Sequence, residues 1–91
     1  MNAYIIERDI TGVDQMSDIQ LVNASAVSNA AIEKLAGKVK WIRSFVTKDR
    51  IFCHYLAETE DSIREHARLS GFPASRITPV AGMIGPETAN G

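Results

Sequence analysis

The chain has 91 residues, with ten basic and eleven acidic side chains and a formal net charge of −1. That length points to one small domain, and the balanced charge gives no general electrostatic pull toward nucleic acid. The single cysteine, Cys53, excludes an internal disulfide and fits a reducing compartment. No apolar run approaches the ~20 residues of a membrane helix. The start, MNAYIIERD, reaches acidic residues at once, without the basic and apolar stretches of a leader. The sequence therefore reads as cytoplasmic, with neither a nucleic acid nor a membrane as partner.

The first element is AYIIERDI, residues 3–10, a β-prone run closed by Thr11-Gly12. From about Ser17 to Leu35 the spacing is helical. Ile19, Val22, Ala26, Ala30 and Leu35 form the expected inward stripe, Ser17 or Asp14 caps its start, and Gly37 ends it. KVKWIRSFV, 38–46, and IFCHYLA, 51–57, flank the polar TKDR and read as a β-hairpin. If Val46 pairs with Ile51, Ser44 opposes Cys53 and Arg43 opposes His54; a slip of one residue reverses these groupings. A second helix covers 59–71, with Thr59 as N-cap, Glu60 and Asp61 at the positive end of its dipole, and Gly71 as its stop. RITPVAGMI, 76–84, is the last strand. Pro79 cannot donate to a ladder, which places that strand at an edge or a bulge. Residues 1–85 thus form one domain, and the polar 86–91 reads as a flexible C-terminal tail.

The order βαββαβ is the ferredoxin-like split unit, an α+β fold with a four-stranded antiparallel sheet and both helices on one face. The other face is left bare, and a bare apolar face rarely stays in water. Two sheets closing face to face, as a homodimeric α/β barrel, would cover it.

YIIERDI, VKWIRSFVTKDRIFCHY and IREHARLSGFPASRI together resemble the domain of unknown function 4242 family, from about Tyr4 to Val80. The distinctive pieces are Glu7-Arg8-Asp9, Trp41 with Ser44, Cys53 with Tyr55, and Glu65-His66-Ala67 leading to Gly71-Phe72-Pro73. The resemblance implies a ferredoxin-like fold that pairs into barrels, and it implies nickel, or another divalent transition metal, as a ligand. Two positions depart from the family pattern. His54 stands where an aliphatic residue is expected, which adds a donor. Phe45 stands where tyrosine is expected, which removes a hydroxyl.

Chemistry has few places to sit. Glu7 is a carboxylate among apolar neighbours, either paired with Arg8, Arg43 or another cation or acting as an oxygen ligand or general base. The first strand runs antiparallel to the third, so Glu7 could approach Cys53 or Tyr55, depending on register. Cys53 is a small buried hydrophobe or a thiolate; Tyr55 and Trp41 are core or interface anchors or pocket walls. His66 shares a helical stripe with Ile63, Ala67 and Ser70, so it either satisfies its ring nitrogens in the core or serves as a metal ligand. Its i−4 and i+4 neighbours, Ser62 and Ser70, are weak ligands and make no clip. His54 could meet its own copy across a two-fold axis. SIREHAR reads as a solvated helix face.

Three readings remain open. One is a homodimeric metal-binding protein, with nickel by resemblance and His66, His54 and Glu7 as donors. Another is a small-molecule-binding barrel enzyme, with Glu7, Trp41, Ser44, Cys53 and Tyr55 around the ligand and Glu7 or His66 moving a proton. The third is a structural module without chemistry.

Overall fold

The computed structural model describes all residues, 1–91, and its sheet is built around the two strands with the strongest alternation. These are β1 (Asn2–Asp9) and, after α1 (Asp18–Lys34) and β2 (Val39–Val46), β3 (Arg50–Ala57). Helix α2 (Glu60–Ser70) and the short β4 (Arg76–Pro79) follow. The sheet order is β2-β3-β1-β4, and all three pairings are antiparallel. This is the expected ferredoxin-like α+β arrangement. No helix is long and apolar enough to cross a membrane.

Period-two alternation divides each strand between two faces. On β1, Tyr4, Ile6 and Arg8 are buried beneath the helices. On β3, Cys53, Tyr55 and Ala57 are buried on the same side. With Leu35, Val39 and Ile63, all of these except Arg8 form the core cluster. The hairpin register is the one that pairs Val46 with Ile51 and Ser44 with Cys53. One irregularity lies within it: Trp41 pairs with Tyr55 and Arg43 with His54, so Ile42 is an extra residue on β2. This bulge resets the alternation. Trp41 and Ser44, three positions apart, therefore both face the helices, and the Trp41 Nε1–H donates to Ser44 Oγ at 2.9 Å.

Both helices begin where their caps dictate. Ser17 and Gln20 form a reciprocal capping box at α1, satisfying two otherwise orphaned amides. Thr59 accepts from the Ser62 amide at α2. Gly71 takes the left-handed conformation that ends α2, with φ of 79°. Within SIREHAR, Arg64, Glu65 and Arg68 lie on the solvated side of α2, tied by Glu60–Arg64 at 3.0 Å and by Glu65–Arg68, while Ile63 and His66 are buried.

Two expectations are corrected. The stripe on α1 is turned: Ile19 and Val22 are 73% and 66% exposed, while Ser28, Ala31 and Leu35 are buried. A buried hydroxyl at Ser28, bonded to both Tyr55 and His66, holds that rotation. Strand β4 stops at Pro79 instead of reaching residue 84, and the Val80 N–H adds one last bond to the Ala3 carbonyl; as expected, the strand lies at the edge. Residues Pro86–Asn90 form a 3-10 helix with no buried residue.

Candidate functional site

A cavity of about 340 Å³ lies between the helix side of the sheet and α1. Its floor comes from β1, β2 and β3: Arg8, Trp41, Ser44, Cys53 and Tyr55. Its roof is the small-residue face of α1, and the Gly71-Phe72-Pro73 turn closes one end. The lining is mostly apolar, with a few convergent polar groups, which is the usual make-up of a ligand pocket.

The polar groups form one buried cluster. His66 is fully buried, Tyr55 is 2% exposed, Arg8 3% and Ser28 4%. Ser28 Oγ lies 3.1 Å from Tyr55 Oη and 3.1 Å from His66 Nε2. A terminal nitrogen of Arg8 makes a long 3.5 Å contact with His66 Nδ1, and its other terminal nitrogen donates to the Pro73 carbonyl at 3.0 Å. The guanidinium also stands over the Tyr55 ring, 5.8 Å from its centre. Trp41 stacks on Tyr55 at 6.3 Å.

The proton positions follow from which groups can accept. A guanidinium has only donors, so Nδ1 must be the acceptor and a neutral His66 ring carries its proton on Nε2. Nε2–H then donates to Ser28 Oγ. Ser28 and Tyr55 hold two hydroxyl protons and share one hydrogen bond, so one of those protons has no acceptor within the cluster. Burial, reinforced by the Arg8 charge, lowers the His66 pKa to about 4. Burial raises that of Tyr55, which keeps the phenol protonated at neutral pH.

Glu7 and His54 lie elsewhere. Glu7 pairs in register with Phe52, and His54 with Ile5, on the face turned away from the helices. Glu7 therefore does not share a face with Cys53 and Tyr55. Its carboxylate is bound by Arg50 at 3.0 Å, and Arg50 also holds Asp9 at 2.6 Å. His54 Nε2 is buried with no hydrogen-bond partner. Around it the open face carries Phe45, 59% exposed, and the partly buried Ile5, Phe52 and Leu56.

The structure thus gathers Trp41, Ser44, Cys53 and Tyr55 at the cavity, with His66 behind them, and separates these from Glu7 and His54. The set His66, His54 and Glu7 does not converge within one chain. No three His, Cys, Asp or Glu side chains group to hold a metal ion, and His66 is engaged at both nitrogens. One chain by itself therefore does not fit a metal centre. Two members of the buried polar cluster, Arg8 and Ser28, escaped the sequence reading as site residues. Arg8 was legible by counting two on from Tyr4 and Ile6, which places it on their face. Ser28 had no such signal, because nothing in its own helix sets that helix's rotation.

Topology and cavity together define an α+β domain of the ferredoxin-like kind. The chain belongs to the nickel responsive protein SCO4226-like family, whose profile matches residues 4–80. Among solved structures it is similar to SCO4226 from Streptomyces coelicolor A3(2), with a TM-score of 0.75 and 16% identity, covering 90% of this chain and 99% of that one. At that identity the likeness concerns the fold. No curated protein matches the chain.

Proposed function

We propose that the protein is a small binding module that takes a compact, largely apolar molecule into the cavity between the sheet and α1. The observation that carries this is the pairing of an apolar space of about 340 Å³ with a single buried polar cluster on its wall. At about 30 Å³ per molecule, that space equals roughly ten waters. Apolar walls reward desolvation of the ligand, and the few polar groups fix its orientation. The working form in this reading is a homodimer closed through the open sheet faces, since Ile5, Phe45, Phe52 and Leu56 supply the apolar surface that such a union buries.

Because Trp41 lines the cavity, its indole N–H resonance reports occupancy. Titration with phenylacetamide, a neutral probe, is expected to shift that resonance saturably. Ala24→Phe, which fills the space from α1, is expected to abolish the response. A resonance that never moves, or one that still moves in Ala24→Phe, counts against the cavity as the binding site.

A second reading follows from family membership together with the unpartnered His54 Nε2. In a two-fold dimer joined through the open faces, two His54 rings would approach one another and supply nitrogen donors suited to nickel, which neither chain offers alone. Calorimetric titration of the tag-free protein with nickel chloride is expected to show about one ion per dimer, by the symmetry of a shared site. His54→Ala is expected to remove that binding. Binding that survives His54→Ala, or a protein that stays monomeric at the titration concentration, overturns this reading.

A further inference from the structure

Arg8 is the one charged residue lining the cavity, and no aspartate or glutamate lines it. It is also the cation that lacks a counter-charge where one is needed most. The ion pairs of the chain join Arg50 to Glu7 and Asp9, Arg64 to Glu60, and Arg68 to Glu65; none includes Arg8. Its neighbours in sequence, Glu7 and Asp9, point to the opposite face of β1 by strand alternation and are held there by Arg50. Every partner Arg8 does have is neutral: the Pro73 carbonyl, the His66 ring and the face of Tyr55.

An arginine only 3% exposed and without an anion is costly to hold, because neutral acceptors replace only part of its hydration. That cost is removed if the missing charge arrives with the ligand. A guanidinium presents five N–H groups in a planar fork matched to a carboxylate. The unspent hydroxyl proton of the Ser28–Tyr55 pair offers one more donor beside it. A phosphate, with its higher charge, would call for several cations or a cradle of backbone amides; a monoanion suits one arginine.

We infer that the occupant of the cavity is a small carboxylic acid with an apolar body, its carboxylate paired with the Arg8 guanidinium. This rests on the cavity reading above and narrows it to a ligand class. Arg8 is then the specificity-determining residue: the apolar walls accept the body, and the arginine selects for the charge.

The test compares phenylacetate with phenylacetamide, two probes of the same shape, on the full chain at pH 7.5 and fixed ionic strength. Calorimetry gives affinity and NMR gives location. Phenylacetate is expected to bind about 10- to 100-fold more tightly, the worth of a charge-assisted hydrogen-bonded pair. In Arg8→Gln that preference is expected to vanish. The Arg8 Nε–H resonance of the unaltered protein is expected to move with the acid and not with the amide, which keeps the test open even if Arg8→Gln does not fold. Equal affinities for the two probes overturn the inference and leave the cavity reading standing. An acid preference that persists in Arg8→Gln, or an Arg8 resonance that ignores the acid, overturns it too. If neither probe binds, both readings fall together.

Discussion

Truncating Tyr55 to alanine is expected to cost about 4 kcal/mol, the usual range for deleting a buried aromatic ring. Tyr55 sits on a central strand, 2% exposed, with Trp41 stacked at 6.3 Å, His66 at 5.1 Å and Arg8 at 5.8 Å from its ring. Its removal strips one face from each of these and joins the vacated volume to the existing cavity. In a domain whose total stability is on the order of 5–15 kcal/mol, such a loss lowers the melting temperature by about 20 °C. Tyr55→Phe isolates the hydroxyl. It removes one hydrogen bond, and Ser28 keeps His66 as partner, so the expected cost is about 1 kcal/mol. Urea denaturation of both variants gives the comparison. If alanine costs no more than phenylalanine, the ring is not part of the packing described above.

Acidification is expected to weaken the fold through His66, by up to about 3 kcal/mol between pH 6.5 and pH 4. The direction follows from where the proton is taken up. Above pH 6.5 the ring is neutral in both folded and unfolded chains and contributes no slope. Below it the unfolded chain binds a proton that the folded chain resists, because the folded pKa lies at about 4. Stability therefore falls as pH falls through that window and levels off, for this group, below it. Burial is the larger cause; the Arg8 charge adds to it, and Ser28 and Tyr55, the other groups facing the ring, are neutral. Denaturation midpoints measured at intervals from pH 7 to pH 4 are expected to slope in wild type. In His66→Gln they should slope less, by the histidine's share. Parallel curves for the two proteins would show that His66 takes up its proton as easily folded as unfolded.

The sequence carried most of the fold because its local signals agree. Ser17, Thr59 and Gly71 mark helix ends by their own chemistry. The TKDR turn, flanked by β-branched and aromatic residues, sets a hairpin register that puts Ser44 opposite Cys53. The candidate site was legible only in part, and the gaps have physical causes. Ser44, Cys53 and Tyr55 could be placed together once the hairpin was read, whereas a regular hairpin puts Trp41 on the other face, and only the extra residue at Ile42 brings it round. Glu7 could not be placed, since its side of β1 is fixed by what packs against Tyr4 and Ile6 and not by the carboxylate itself. On α1, hydrophobicity pointed to Ile19 and Val22, whereas the rotation is set by the Ser28 hydroxyl between Tyr55 and His66. That contact spans three elements, and no window along the chain contains it.

The extra residue at Ile42 has a bearing on how this hairpin tolerates changes in length. Upstream of it, odd-numbered Val39 and Trp41 face the helices; downstream, even-numbered Ser44 and Val46 do. Losing that one residue would leave Trp41 opposite Tyr55 and Arg43 opposite His54, and β2 would alternate regularly with the same side chains turned inward. The bulge is thus a unit of slack: a shortening by one residue is absorbed there without changing what the interior presents. On β3, which has no spare residue between Ile51 and Ala57, the same loss would turn part of the strand over and carry Cys53 or Tyr55 to the other face.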